Sequence, residues 1–441
     1  MPFKDLREYI GRLEQEGEVQ RIAVEVQPVY EVGAIILHSY DLRAPAPFFL
    51  NLRGYPDQRI LGAPIGLSRR KDRRFARFAI SMGMPPESTA LEIIEEYIQR
   101  IKKPIRPVMV GDGPCKENIV LGEAVDLRDF PAPLLQMEDL GPCLGNWHAN
   151  ITQDPHTGVN EWKLYRLMTH ERKTIVGTFP SAHTMGGHEP VEFAIAIGTE
   201  PVTPWVAGTW FTPNVSKADL IGGIRSAPLE LVKCETVNLV VPATSEIVIE
   251  GFSLPPYSIY HVTAISYRYH PILPVSFTGM SVDDSSVSFS LTKAANILDA
   301  VRGHGFPVKA VYCPPEAVSY CTAVSTKIPY PDYARSLANA IWKTDWGRPS
   351  GYLFIVEEDV DVTDMGEVLW AVSNTCHPRR GMLRVEKEER SKHLGAYTRS
   401  GRNWPREWPK ETIPMKASFD NIWPKEVQEK ILRDWHAYGY K

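Results

Sequence analysis

Glu246-Ile247-Val248-Ile249-Glu250 and Tyr260-His261-Val262-Thr263-Ala264-Ile265 are two runs rich in β-branched residues, separated by Gly251, Pro255 and Pro256. Side chains of this kind fit a pleated, half-buried surface, and Gly and Pro punctuate it. Runs of the same character recur from about residue 116 to 285, so this middle third reads as a β-barrel or folded sheet. On its N-terminal side, Phe3, Leu6, Tyr9, Ile10 and Leu13 lie on one helical stripe, and Ile22, Val24 and Val26 then alternate as in a strand. Thr89 with Glu92 three residues on is a capping box; it opens a helix carrying Leu91, Ile94, Ile98 and Ile101 that Pro104 stops. On the C-terminal side helix and strand alternate. A helix with Leu291, Ala294, Leu298 and Val301 ends at Gly303, and a strand runs from Val308 to Cys313. A helix from Tyr333 to Trp342, a strand from Tyr352 to Val356, and a helix opened by Asp364 and Glu367 follow. The reading is an α+β protein: an N-terminal α+β region over 1–115, a barrel-like cofactor domain over 116–285, a C-terminal α/β domain over 286–390, and a tail with a final helix over 391–441.

Composition narrows the functional classes. The 441 residues, 43% of them hydrophobic, suffice for two or three linked cores. The formal net charge is −4, and there is no long basic run, which argues against nucleic acid as a partner. The charged N-terminus has no apolar leader, and no later run approaches membrane-spanning length, so the expectation is a cytoplasmic protein without a membrane partner. Six scattered cysteines with no CxxC pair read as reduced thiols and not as a zinc site. The chain has no GxGxxG after a strand, no GxxxxGK[ST], no GxSxG and no HExxH. The Gly pair in Met185-Gly186-Gly187-His188 lacks the strand-to-helix setting of a phosphate cradle. The acidic run Glu357, Glu358, Asp359, Asp361 and Asp364 reads as a solvated strand end, with Asp364 as a helix cap.

Longer segments carry more. Pro114-Cys115-Lys116-Glu117-Asn118, followed by Asp126-Leu127-Arg128-Asp129-Phe130-Pro131-Ala132-Pro133, resembles the entry of the UbiD decarboxylase family into its flavin-binding domain. Glu161-Trp162-Lys163-Leu164-Tyr165-Arg166 resembles the same family. So do Leu231-Val232-Lys233-Cys234-Glu235-Thr236 with Val241-Pro242-Ala243-Thr244-Ser245-Glu246, and Ala264-Ile265-Ser266-Tyr267-Arg268 with Ile272-Leu273-Pro274-Val275. Asp359-Val360-Asp361 ahead of Glu367-Val368-Leu369-Trp370 is a further match, and the closing Trp435-His436-Ala437-Tyr438-Gly439-Tyr440-Lys441 is most similar to the ferulate and phenylacrylate decarboxylase branch. The resemblance spans nearly the whole chain. It implies a split β-barrel cofactor domain and a reversible, non-oxidative decarboxylation of an aromatic or α,β-unsaturated acid. The cofactor implied is prenylated FMN, which forms a covalent adduct with the substrate, and manganese and potassium ions are implied with it. A separate flavin prenyltransferase supplies that cofactor, and the family commonly forms homodimers or larger assemblies.

By the same resemblance Arg166 is the arginine facing substrate and cofactor, a role that suits a permanently charged, two-donor group. Read from the residue alone, it is a structural or surface ion pair. Trp162, Leu164 and Tyr165 fall with it in the cofactor-binding segment. His183 matches a histidine that binds the metal at the flavin phosphate, and Lys392 a lysine that meets the phosphate; each is otherwise an ordinary core or solvated side chain. The chain also departs from the family. Two usual metal ligands, Asn and Glu, are replaced by Glu161 and Lys217, and a lysine ammonium has no lone pair to offer. A Glu161–Lys217 salt bridge in place of the ion is the expectation. The family's glutamate-bearing segment is missing where Glu250-Gly251 runs through Pro255-Pro256 into Tyr257-Ser258-Ile259-Tyr260, and the stretch between His183 and Phe193 is short. Two readings follow: a carboxy-lyase acting through Arg166 and an acid not visible here, or a cofactor-free relative that binds, assembles or runs altered chemistry. A flavin reductase or storage module rests on the barrel-like middle alone.

Overall fold

The two runs pair as a hairpin in the computed structural model: Ile247–Leu254 and Ile259–Tyr267 lie antiparallel, from Ile247 opposite Tyr267 to Leu254 opposite Ile259. The structure describes residues 2–154, 158–177, 190–209, 215–254, 259–318, 320–330, 332–376, 419 and 422–440. They fall into two units, one of residues 1–88, 100–285 and 417–441, the other of 89–99 and 286–416.

In chain order the first unit contains strands β1 (Val19–Ile22), β2 (Ala46–Phe49), β3 (Arg59–Gly62), β4 (Val108–Met109), β5 (Asn118–Leu121), β6 (Cys143–Gly145), β7 (His148–Gln153) and β8 (Asn160–Lys163). They are followed by β9 (Leu167–Glu171), β10 (Thr174–Gly177), β11 (Val191–Ile197), β12 (Glu230–Lys233), β13 (Val240–Pro242), β14 (Ile247–Leu254), β15 (Ile259–Tyr267) and β16 (Ile272–Val275). A four-stranded sheet has the order β1-β2-β3-β16, and a small one the order β13-β12-β4. The large sheet runs β6-β9-β10-β15-β14-β11-β7-β8, with β5 also paired to β15.

That order cannot be flat. Strands β6 and β7 stand six places apart yet are joined by residues 146–147 alone; β8 and β9, also six places apart, are joined by residues 164–166. Six strand spacings span about 29 Å, whereas three or four Cα steps reach at most about 11 to 15 Å. The sheet therefore curls until its two edges face each other across a seam crossed by both connections. Among the described residues no ladder joins β6 to β8, so the sheet is a split and not a closed barrel.

Strand alternation sorts its side chains. Phe193, Ile195 and Ile197 share a face with Ile247, Ile249 and Ile265 by direct cross-strand register, and all belong to one buried cluster. That cluster reaches the helix Glu31–Asp41 and the C-terminal helix Lys425–Arg433, burying Ile431 of the latter together with Trp423 before it and Trp435, Tyr438 and Tyr440 after it. The Trp435 ring stacks on Tyr440 at 4.3 Å and meets His38 edge-on. The helix Val202–Gly208 packs on β7. The N-terminal helix Leu6–Gln15 buries Leu6, Tyr9, Ile10 and Leu13 as its stripe requires. Strand β1, however, stops at Ile22: Val24 is exposed, and Val26 makes an isolated bridge to Leu52.

The second unit holds a three-stranded sheet, β17 (Val308–Tyr312), β18 (Cys321–Thr326) and β19 (Tyr352–Val356), in that order. Its helices include Tyr333–Lys343 and Met365–Thr375; the latter is capped by Asp364, whose carboxylate accepts from the Gly366 and Glu367 amides. The capping box is formed: Thr89 Oγ1 accepts from Glu92 N, and Glu92 Oε2 from Thr89 N at 2.8 Å. All six cysteines are free thiols. No helix among the described residues is long and apolar enough to cross a membrane.

Candidate active site

The seam gathers most of the residues singled out in the sequence. Residues 164–166 are one of the two connections across it, and Arg166 is the last residue before β9. Trp162, on β8, is 2% exposed and points to the face opposite Glu161 and Lys163; Leu164 and Tyr165 are half-buried, and Tyr165 packs on the core cluster. Arg166 Nη2 donates to Asp139 Oδ1 at 2.6 Å; the arginine side chain is 37% exposed, the aspartate 3%. Asp139 is itself fixed, since its Oδ2 accepts from the backbone N–H groups of Leu135 and Gln136, both at 3.2 Å. Leu135 O in turn accepts from the Trp423 indole at 2.7 Å. Arg166 Nε is buried and has no partner among the described residues. Beside the guanidinium, the Cys143 thiol is pushed up to about 11 by burial, with Arg166 pulling the other way. The arginine is thus an ion-paired side chain, buried at Nε beside Cys143 and partly open elsewhere.

Glu161 does not pair as expected. Its Oε2 takes Lys163 Nζ at 2.7 Å, because residues two apart on a strand share a face and the nearest ammonium is the local one. Lys217 opens the helix Lys217–Arg225 and donates to Ala207 O at 2.8 Å. Burial lowers its pKa to about 7, with Lys163 lowering it further and Glu161 opposing both through space. A divalent cation does not fit this donor set: its one carboxylate is paired, two ammonium groups flank it, and no group of three or more His, Cys, Asp or Glu able to hold a metal occurs among the described residues. His183 and Lys392 lie outside the described residues.

Two glutamates stand near the family's acid segment, and both are engaged. Glu246 is fully buried and accepts from Arg7 at 2.7 and 2.8 Å, from Arg268, and from Ile272 N. Glu250 accepts from the amides of Glu235 and Thr236 and from the Thr236 hydroxyl. Since β14 and β15 pair as far as Leu254 and Ile259, only residues 255–258 separate them. The sequence reading missed His148 and Asn150 on β7. Each is 1% exposed, and none of their side-chain nitrogen or oxygen atoms has a partner among the described residues. Their local signal was a polar residue at alternate positions, His148, Asn150, Thr152, within an otherwise apolar strand. Those orphaned groups, set among apolar side chains, suit a planar ring with polar edges such as a flavin.

Three profiles of one family match the chain in succession. They are the N-terminal domain of 3-octaprenyl-4-hydroxybenzoate carboxy-lyase (UbiD) over residues 10–97, its Rift-related domain over 106–256, and its C-terminal domain over 286–402. Pyrrole-2-carboxylic acid decarboxylase of Pseudomonas aeruginosa is 29% identical over 487 positions, covering 99% of this chain and 98% of the relative. That alignment is longer than the 441-residue chain, so the relative carries segments with no counterpart here. Ferulic acid decarboxylase 1 of Saccharomyces cerevisiae is 27% identical over 498 positions, covering 100% and 99% of the two chains. Among solved structures, the UbiD-class enzyme HmfF of Pelotomaculum thermopropionicum, an evolved dimeric form in complex with prFMN, is similar at a TM-score of 0.76. It is 26% identical, with 86% of this chain and 91% of that one covered. The vanillic acid decarboxylase of Sedimentibacter hydroxybenzoicus in open form has the same fold at a TM-score of 0.78 and 23% identity, with 86% and 85% covered.

Proposed function

The chain belongs to the UbiD family of carboxy-lyases, and from that premise we propose that it carries out non-oxidative, reversible decarboxylation of an aromatic or α,β-unsaturated carboxylic acid with prenylated FMN as its cofactor. Arg166 carries the reading. It stands on a connection across the seam of the split barrel, fixed by Asp139 through one nitrogen, with a buried Nε still unpartnered and more than a third of the side chain open. A guanidinium so held binds a substrate carboxylate through its free edge and keeps the reacting carbon in register. When bound, prenylated FMN supplies the electron sink for loss of carbon dioxide.

Relatives acting on pyrrole-2-carboxylate and ferulate frame the substrate class. We assign the cofactor's supply to a flavin prenyltransferase and the assembly to a homodimer or larger homo-oligomer, in the cytoplasm. The test is co-expression with such a prenyltransferase, then measurement of carbon dioxide release from a panel of aromatic and cinnamic acids. Arg166→Ala should retain its fold and lose at least about 100-fold in kcat/KM, an arginine–carboxylate contact in a shielded site being worth about 3 kcal/mol. Equal rates for wild type and variant would remove Arg166 from the reaction.

A second reading has one observation in its favour. Glu246 and Glu250 are both engaged, and the β14–β15 hairpin spans four residues, so among the described residues this region offers no free acid to return a proton to product carbon. On that reading the chain binds the ring ligand without turning it over. Stoichiometric flavin with no carbon dioxide release from any acid would select it.

A further inference from the structure

We infer that His148 and Asn150 form a recognition site for a neutral planar heteroaromatic ring that presents a hydrogen-bond donor beside an acceptor. The pyrimidine edge of a flavin and the ring of a heteroaromatic acid share this chemistry. The inference rests on the proposed function only in taking the core face of the split barrel to be where a ligand lies.

Asn150 is opposite Ile195 and His148 opposite Ile197, so both point where Phe193, Ile195 and Ile197 point. Each is 1% exposed, and Nδ1 and Nε2 of the one and Oδ1 and Nδ2 of the other lack any partner among the described residues. A flipped amide or the other imidazole tautomer does not repair this, because all four atoms are orphaned. Nearby Asn146 shows the usual outcome for a buried amide: its Nδ2 donates to Ser276 O, and its Oδ1 accepts from Ser276 N at 3.1 Å. A fold that satisfies Asn146 and leaves its two neighbours on β7 unsatisfied holds them for something else.

The chemistry of that occupant follows from the groups. Burial pushes the imidazole down to about 3, so at neutral pH it offers one donor and one acceptor and no charge. The carboxamide adds two N–H donors and an acceptor. Lys163 lies opposite Asn150 on β8 and shares its face, but its ammonium is paired with Glu161, so the charge beside the site is already balanced and a carboxylate belongs at Arg166. Gly145 makes room for the imidazole, since a Cβ there would lie 2.9 Å from its ring atoms. Ile195 and Ile197, directly across the strand pair, supply the apolar contact that a flat ring takes.

The experiment uses the apo chain and two conservative apolar variants, His148→Phe and Asn150→Leu, with FMN and pyrrole-2-carboxylate as separate probes in titration calorimetry, beside thermal unfolding of each ligand-free protein. Removing an unpaired buried polar group should leave the apo Tm equal or higher. Losing its hydrogen bond should weaken one probe by about tenfold per variant; weaker FMN assigns the site to the flavin edge, weaker pyrrole-2-carboxylate to the substrate. An apo Tm lowered by several degrees would show the groups already paired, for instance with buried water, and would overturn the inference. Unchanged affinity for both probes overturns it alone, whereas a wild-type chain that binds neither overturns the proposed function as well.

Discussion

Arg166 was legible because its segment is long and specific, but the residue that aims it was not. Asp139 lies 27 positions away, and only the folded chain shows its carboxylate holding a guanidinium on one oxygen and two backbone amides on the other. Asp139→Ala should therefore cost about 2 kcal/mol of stability, from amides left without an acceptor, and should raise KM for the acid by letting Arg166 swing; urea unfolding and steady-state kinetics check the two effects. His148 makes a prediction of a different kind. Its folded pKa, about 3, lies below the ordinary value of 6.5, so between these limits the unfolded chain binds the extra proton. The neutral histidine's contribution is then fully present above pH 6.5 and lost as pH falls toward 3, at about 1.4 kcal/mol per pH unit. His148→Phe should flatten that slope, and unfolding measured from pH 7 to 4 reads it; parallel slopes would contradict the burial of the ring. Asp139 had no sequence signature, because pairing across a long loop is not a local property, and the polar alternation on β7 did not by itself say that His148 is buried.

Elements were read best where their signals are local. The Thr89–Glu92 box and the Asp364 cap act within one turn and formed as expected, and the stripe of the first helix formed from Leu6 to Leu13, with Phe3 left ahead of the Asp5 cap. The helix Val202–Gly208 was missed: seven residues long, with Pro204 in its first turn and buried almost all round, it shows no amphipathic period. Glu161 shows the same limit on a smaller scale, since its partner was sought 56 residues away and found two residues on. The β14–β15 hairpin carries its own test. Register shifts between Glu250 and Gly251, and a Cβ at Gly251 would run into the carbonyl of His261 on the partner strand. Since the obstacle is backbone, no rotamer relieves it. Gly251→Ala is expected to cost on the order of 3 kcal/mol and to lower soluble yield; a variant with wild-type Tm would mean the bulge is looser than its register shows.

At the scale of the whole molecule, the class of fold could be read but the path of the sheet could not. Alternating runs announce strands without saying which ones become neighbours, and here the decisive facts are the two short connections that force the edges together. The packing of the helix Lys217–Arg225 on β8 brings Lys217 to Glu161 and Lys163, from which follows a prediction about metal. Dialysis against a strong chelator should leave flavin content and unfolding temperature unchanged, whereas Lys217→Glu, which sets a second carboxylate near Glu161, should make the Tm rise with added manganese; a chelator-sensitive wild type would reverse the assignment. The docking of the C-terminal helix has a consequence for how the chain is made. Trp423 supports the turn bearing Asp139, Lys430 pairs with Glu31, and Trp435 covers His38. A ribosome adding about 5 to 20 residues per second emits the helix Glu31–Asp41 and then takes about 20 to 80 seconds to deliver its cover. For that interval the side of the helix bearing Glu31 and His38 lacks its cover, which makes the nascent chain a client for chaperones and couples arginine placement to the late-made segment from Trp423 onward.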